Sequence, residues 1–257
     1  MFYFAIPLKA KSVSKNWETI SRSLENTINS IFSSDPNSKI VVACHDIPEI
    51  NILYPENVVF ISVDFNTPKS KEQYMADKES KKTIAMKYIF NNFLDEKNID
   101  NSYFMYLDAD DILAHDFCFS ISNAFASNPD VDDIALYSGY AFDIRRSKIA
   151  YLNGKDKIFY RNCGSSFISK INKFDLKDIN NNFFTLLRNH TLFPEISIKN
   201  SRSVLAFKNP VVCYMVNHGS NDASERVGDK LIENFIDQFE CKDQSYRELF
   251  FHKFMVK

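Results

Sequence analysis

The chain has 257 residues, of which 45% are hydrophobic, 25% are charged and only five are glycine, and its net charge is −2. The glycines (Gly139, Gly154, Gly164, Gly219 and Gly228) are too widely spaced for G-x-G-x-x-G or G-x-x-x-x-G-K-S/T, so a glycine-rich phosphate cradle is excluded. A near-neutral chain also lacks the strongly basic character of a general nucleic-acid binder.

Cysteine usage and hydropathy predict a cytoplasmic protein. The cysteines are odd in number and form no C-x-x-C pair, which favours reduced thiols over disulfides or a zinc site. Basic residues follow, rather than precede, the short apolar run at the N-terminus, opposite to a secretory signal. The longest apolar stretches, residues 58–63 and 211–216, have the length of strands and not of membrane spans.

The first half of the chain alternates between apolar runs and segments with helical periodicity. Strands are predicted at residues 2–8, 39–44, 58–63, 103–107 and 134–144, and helices at residues 14–32, 69–94 and 116–126. This β-α-β-β-α-β-α-β order predicts an α/β fold, a Rossmann-like, mostly parallel sheet flanked by helices.

The second half is less regular. Short strands are predicted near Phe159 and Phe167, a helix at 178–188, a strand at 211–216 and a C-terminal helix. We expect a single domain at 1–230, with a nucleotide-binding half at 1–115 and an irregular acceptor half at 116–230. A helical tail at 231–257 follows.

Three acids, Asp108, Asp110 and Asp111, directly follow the apolar strand 103–107. In open α/β sheets, ligands bind beyond the carboxyl ends of strands. Alternation along the strand points Asp108 and Asp110 to one side, where both could reach one divalent ion, and hard oxygen ligands favour Mg²⁺ or Mn²⁺. The alternative is a solvated acidic turn that caps the next helix.

A histidine loop follows another apolar strand, residues 211–216. His218 is followed by Gly219 and small polar residues, which makes an accessible imidazole of the kind that ligates metals. Beside the acid cluster, His218 is the natural third ligand. The alternative is an ordinary loop histidine.

With these motifs the chain resembles a GT-A-fold, family-2-like, nucleotide-sugar glycosyltransferase. The resemblance runs from the strand before Pro7 to the His218 loop, and the L-D-A-D-D setting carries its D-x-D motif. It implies that Asp108 lies nearest the ribose and donor sugar, that Asp110 ligates Mn²⁺ or Mg²⁺ and is catalytic, and that Asp108 also belongs to the metal site. A late H-x-x-N-x-x-S element, matched by His218, Asn221 and Ser224, supplies a further metal contact.

The resemblance implies further donor contacts. The first-strand loop brings Pro7 and Lys9 to the nucleoside, and Asp46 stands near the base, although the usual D-D-x-S-x-D is absent there. On the helix before the D-x-D, Asp77 and Lys81, with the neighbouring Lys78, would reach the nucleotide. The alternative for these lysines is a solvated helix face.

Acceptor-side residues complete the expected site. Gly164 and Ser165 lie in a small-residue loop that resembles the one beneath the donor sugar, where glycine permits close approach and hydroxyls meet sugar oxygens. His190 stands where inverting enzymes carry an acid, and imidazole suits proton abstraction at neutral pH. The alternatives are a structural histidine beside Phe193, or a retaining enzyme that needs no base.

The expected activity is metal-dependent transfer of a sugar from a nucleotide-diphosphate sugar, a UDP-sugar being favoured, to a carbohydrate or lipid-linked acceptor. Composition suggests bacterial surface polysaccharide synthesis (capsule, lipopolysaccharide or lipooligosaccharide). A non-catalytic glycosyltransferase-like binding module is the alternative from another class.

Two enzymatic alternatives are disfavoured. A sugar-1-phosphate nucleotidyltransferase would carry an N-terminal glycine-rich loop, and residues 1–30 contain no glycine. A haloacid-dehalogenase-type phosphatase would carry D-x-D-x-T/V near its first strand.

The aromatic and basic tail at 231–257 either packs on the domain or at a dimer contact, or lies on the inner face of the cytoplasmic membrane.

Overall fold

The computed structural model describes residues 1–97, 99–155, 157–217, 219 and 228–254. The strands are β1 (Phe2–Pro7), β2 (Lys39–Cys44), β3 (Val58–Ser62), β4 (Tyr103–Tyr106), β5 (Ile112–Leu113), β6 (Asp133–Leu136), β7 (Gly139–Asp143), β8 (Lys148–Leu152), β9 (Phe167–Lys170), β10 (Val204–Phe207) and β11 (Val212–Val216). The α-helices are α1 (Trp17–Ser34), α2 (Lys71–Asn92), α3 (Phe117–Ser127), α4 (Phe193–Lys199), α5 (Asp229–Gln238) and α6 (Gln244–Phe254).

The main sheet has seven strands in the order β10-β6-β9-β4-β1-β2-β3. Every neighbouring pair is parallel except those that β9 makes with β4 and β6. Alternate residues of β1 belong to different cores: Phe4 packs in the cluster that includes α1, and Tyr3 in the cluster that includes α2. Because helices cover both faces, the central strands β1, β2 and β4 are almost entirely apolar. This architecture confirms the predicted α/β class with a mainly parallel sheet.

Strand order reverses between β1 and β4. The chain runs outward from β1 to β2 and β3, then returns to form β4 on the other side of β1. The connections leaving β1 and β4 therefore part in opposite directions and leave a crevice at their carboxyl ends. Such a topological switch point is where open α/β sheets bind ligands.

A second sheet has four strands in the order β5-β11-β7-β8. Helices α5 and α6 pack against it through Ile232, Ile236 and Phe250, the last with its ring 5.2 Å from that of Tyr140. Most of the predicted tail thus packs on the protein, although α5 begins at Asp229, ahead of the predicted boundary. Within the described residues, no helix combines the length and apolarity needed to cross a membrane.

One predicted strand, at 134–144, is divided between the two sheets. It forms β6 in the main sheet and β7 in the second, and the chain crosses over at Tyr137. There the Tyr137 N–H donates to the Phe207 carbonyl, and the Tyr137 carbonyl accepts from the Phe159 N–H. The predicted strand near Phe159 is a short 3-10 helix, Phe159–Arg161.

The predicted helix at 178–188 was wrong. The segment forms turns and a short 3-10 helix, Phe183–Leu186. Its polar side chains bond to nearby backbone instead of supporting a helix: Asp178 accepts from the Asn180 N–H at 3.1 Å, and Asn182 donates to the Asp175 carbonyl at 3.1 Å. Such local bonds compete with helical hydrogen bonding.

Gly139 makes the crossover possible, and its substitution should destabilise the fold. A Cβ on Gly139 would overlap the ring of Phe159, which is fully buried. We expect Gly139→Ala to lower the free energy of unfolding by about 1–3 kcal/mol, since overpacking of a buried ring costs that much. Urea denaturation checks this. An unchanged midpoint would mean that Phe159 has room to move.

Candidate active site

A cleft of about 460 Å³ opens at the switch point between β1 and β4. Residues 7–9, at the end of β1, and residues 108–110, just beyond β4, line it together. Helix α2 contributes Tyr74 and Lys78, and the segment before α4 contributes Arg188 and His190. The topology thus gathers acidic, basic and aromatic side chains from distant parts of the chain.

Asp108 is held from several sides. Its Oδ1 pairs with the Lys78 ammonium at 2.8 Å, and its backbone N–H donates to the Ser165 hydroxyl oxygen at 2.9 Å. Its Oδ2 lies so near Gly164 that a Cβ there would stand 2.7 Å away. Because Gly164 has no side chain, a neighbouring group can approach its backbone closely, and in this structure that group is Asp108.

The charges around Asp108 keep it ionised. Burial works to raise its pKa, but the ion pair with Lys78, together with Lys82 and His190, outweighs burial and lowers the pKa of this carboxyl. The carboxylate is 22% exposed toward the cleft. At neutral pH the Asp108 carboxylate is therefore a negative charge just beyond the carboxyl end of β4.

Asp111 points away from the cleft and is fully buried. Its Oδ2 accepts from the Ser165 hydroxyl at 2.6 Å and the Cys163 thiol at 3.3 Å, and its Oδ1 accepts from the Met215 N–H at 3.2 Å. Burial, and next the charges of Asp110 and Asp108, raise its pKa well above the usual value. Asp111 thus joins the strand end to the 163–165 loop and to β11.

Ser165 supports the acids, which differs from the expected contact with a donor sugar. Its side chain is fully buried, and its hydroxyl accepts from the Asp108 N–H while donating to Asp111. The neighbouring Ser166 donates to the Cys163 carbonyl at 2.7 Å and is equally buried. Of this loop, Gly164 and Asn162 line the cleft.

Lys81, expected to reach the nucleotide, is held by groups beside the cleft. It is fully buried, and its ammonium donates to the Leu8 carbonyl at 2.8 Å and to Asp77 at 2.7 Å. Desolvation lowers its pKa, and Asp77 counteracts that shift. Lys81 is among the residues that line the cleft, and its ammonium fastens the β1 loop to α2.

The remaining expected donor residues fall into two groups. Pro7, Lys9 and Asp77 line the cleft, with the Lys9 ammonium 5.7 Å from the centre of the Tyr74 ring. Asp46 is not among the lining residues; it accepts from the Lys11 N–H at 2.9 Å and so ties the β2 end to the β1 loop.

His190 lines the cleft at the start of a short 3-10 helix, His190–Leu192. Burial lowers its pKa below 6.5, and the charge of Asp108 opposes that shift. The segment leading to it is fixed by Lys82, which donates to the Leu187 carbonyl at 3.1 Å and the Arg188 carbonyl at 3.4 Å. A half-buried, neutral imidazole therefore faces the cleft.

Lys82 and Asp111 were missed as site-forming residues. Lys82 also lies 4.6 Å from the centre of the Tyr106 ring. The sequence offered a weak signal for each: Lys82 adjoins Lys81, and Asp111 closes the acid run. The side chain of each group that turns inward is selected by contacts with residues 52 to 106 positions away in the sequence.

The cleft acids suit a divalent cation. Asp108 and Asp110 present carboxylate oxygens, and Mg²⁺ is commonly bound by one or two carboxylates plus substrate phosphates and water. Within the described ranges, no group of three or more His, Cys, Asp or Glu side chains is arranged to hold a metal. The expected partners His218, Asn221 and Ser224 lie outside the described residues.

No protein-family model and no curated protein sequence matches this chain. Similar solved structures include S. aureus TarS 1–349, with a TM-score of 0.49 and 13% identity over 83% of this chain and 60% of that one. A second S. aureus TarS structure gives a TM-score of 0.49 and 15% identity, covering 84% of this chain and 36% of that one.

A third is the mannosyltransferase PcManGT from Pyrobaculum calidifontis in complex with GDP-Man and Mn²⁺. Its TM-score is 0.45, at 12% identity over 84% of this chain and 57% of that one. The chain thus spans less than two thirds of each of these structures. Likenesses this distant carry no conclusion about activity, which must be inferred from the cleft itself.

Proposed function

We propose that the chain is a glycosyltransferase that moves a sugar from a nucleoside-diphosphate sugar to an acceptor hydroxyl. The observation that carries the proposal is the position of Asp108 and Asp110 in a cleft at the β1/β4 switch point. Ligands of open α/β sheets bind at such points, and paired carboxylates there suit a cation shared with phosphates.

The cleft has the size and composition for such a donor. Its volume of about 460 Å³ lies within the range of small-molecule sites. Tyr74 and Met75 offer apolar surface to a base, and Lys78 offers positive charge to phosphates. Since no glycine-rich cradle exists in the sequence, side chains and a cation must neutralise the diphosphate.

In the proposed reaction, Asp110 would hold Mn²⁺ or Mg²⁺, and Asp108 would bind the ribose and donor sugar. Such an ion would supply positive charge to offset the negative charge that develops on the leaving diphosphate. His190, neutral at physiological pH, accepts the proton of the attacking hydroxyl. Asp111, Ser165 and the buried lysines of α2 hold these groups in place.

The pH dependence of kcat/KM tests the role of His190. A base must be unprotonated, and because burial lowers the pKa of His190, activity should be full at neutral pH and fall as pH drops through a value below 6.5. His190→Gln should lower kcat by about 10²-fold or more and remove that acidic limb. The exposed His252 provides the control His252→Gln. An unaltered pH profile in His190→Gln would show that another group, or no base, serves the reaction.

We propose a UDP-sugar donor, a hexosyl group, a carbohydrate or lipid-linked acceptor, and a place in bacterial surface polysaccharide synthesis on the cytoplasmic side. Residues 1–115 supply the β1 loop, α2 and the acids of the cleft, and residues 116–230 supply Gly164 and His190. That division supports the proposed donor and acceptor halves.

A nucleotide-sugar panel tests the activity. The full chain is incubated with UDP-, GDP- and CDP-sugars plus Mn²⁺, and released nucleoside diphosphate is quantified. We expect release from one donor class, lost in Asp110→Ala. Release that Asp110→Ala retains would refute the metal assignment. If the chain binds a nucleotide but releases no nucleoside diphosphate with any acceptor that is added, the result would favour a non-catalytic binding module.

A further inference from the structure

The three lysines on one side of α2 differ in how firmly they are held. Lys81 and Lys82 are buried and donate to backbone carbonyls of other segments, Leu8 for the first and Leu187 for the second. Lys78 is 28% exposed, lines the cleft, and pairs at 2.8 Å with Asp108, which also lines it. Lys78 is therefore the α2 cation placed to change partners.

Asp108 has little room for a second cation while this pair is closed. Its Oδ1 is taken by the Lys78 ammonium, and its Oδ2 lies against Gly164. A divalent ion that approached Asp108 and Asp110 would meet the positive charge of Lys78, which lies 2.8 Å from Oδ1 of Asp108. Two like charges a few ångströms apart repel strongly in a partly desolvated site.

A diphosphate reverses this balance. It brings at least two negative charges into the cleft and offers the ammonium a partner of higher charge than one carboxylate. Once Lys78 turns to the phosphate, Oδ1 of Asp108 becomes accessible to the ribose or to the cation.

We propose that Lys78 is an exchangeable resident cation: it occupies Asp108 in the free protein, excludes free divalent ions, and moves to the diphosphate when the donor binds. This rests on the proposed function for the identity of the donor. It adds an order of binding, in which the diphosphate precedes or accompanies the metal ion.

Two separate titrations of the full chain test the exchange. Mn²⁺ alone is titrated by its electron paramagnetic resonance signal, and inorganic pyrophosphate alone is titrated by calorimetry in EDTA. Relative to wild type, Lys78→Met should bind Mn²⁺ about tenfold more tightly and pyrophosphate about tenfold more weakly, as removal of one close charge implies. Lys78→Arg, which keeps the charge, should behave like wild type in both.

Lys87→Met is the matched control, because it removes the same charge from the same helix at a position that does not line the cleft. Lys78→Gln is the second variant if Lys78→Met melts at a lower temperature. Opposite shifts of the two affinities support the exchange, and a merely structural lysine would weaken both. Unchanged or weaker Mn²⁺ binding in Lys78→Met and Lys78→Gln overturns it.

The titrations of the Lys78 variants can be interpreted independently of the proposed function. If wild type binds no nucleoside diphosphate with Mn²⁺ present, the donor assignment fails. The Mn²⁺ titration without nucleotide still decides whether Lys78 excludes the ion from Asp108.

Discussion

Asp110→Asn is expected to lower kcat/KM for the donor by about 10²–10³-fold, the usual cost of removing one group that stabilises developing charge. The substitution keeps the size of the side chain and removes its charge. Asp110 is only half-buried, so the fold should persist. Transfer rates at saturating Mn²⁺, with thermal melting as a check on folding, measure the effect.

The control for this loss is Asp100→Asn. Asp100 is exposed and lies ahead of β4, at the end of the strand opposite the acids. The substitution Asp100→Asn removes the same charge from the chain at a residue that does not line the cleft. Full activity in Asp110→Asn would contradict the assignment of this carboxylate to the metal.

Gly164→Ala is expected to lower activity by about 10–100-fold while leaving the fold nearly as stable. The added Cβ would stand 2.7 Å from Oδ2 of Asp108, and a carboxylate at the end of a side chain can swing aside. That movement breaks the placement of Asp108 against Lys78, and a displacement of about 1 Å in a catalytic group can cost 10²-fold in rate.

Gly139→Ala makes the informative contrast for Gly164→Ala. Its Cβ meets the buried Phe159 ring, so stability should fall while the folded fraction keeps its activity. Activity per folded molecule and urea midpoints separate the two effects. A Gly164→Ala protein with unchanged kcat/KM would show that the position of Asp108 does not matter to the reaction.

The central strands of the main sheet could be predicted because they are buried on both faces, whereas the half-buried edge strand β10 was not predicted. Residues 40–44 form a continuous apolar run that, with Lys39 ahead of it, becomes β2, and all five are fully buried. The acids could be placed at the cleft for the same reason: an apolar strand that ends in Asp108 must deliver it to the sheet edge. The strand order that creates the switch point could not be predicted, since it depends on pairing between distant segments.

Side-chain direction within the site could not be predicted either. Lys81 turns inward because the carbonyl of Leu8, 73 residues away in the sequence, accepts a hydrogen bond from its ammonium. Ser165 turns to Asp111 because that carboxyl is buried and needs donors. Each of these choices follows from tertiary contacts and leaves no periodicity in the sequence.

Calorimetric titration of the full chain with UDP, GDP and CDP, with and without Mn²⁺, tests whether the cleft binds a nucleotide through a metal ion. The cleft at the β1/β4 switch point predicts that one of them binds in the range of about 1 μM–1 mM that is usual for substrates, in a Mn²⁺-dependent way that Asp110→Ala removes. Absence of binding by all three nucleotides, or equal binding by Asp110→Ala, would contradict it.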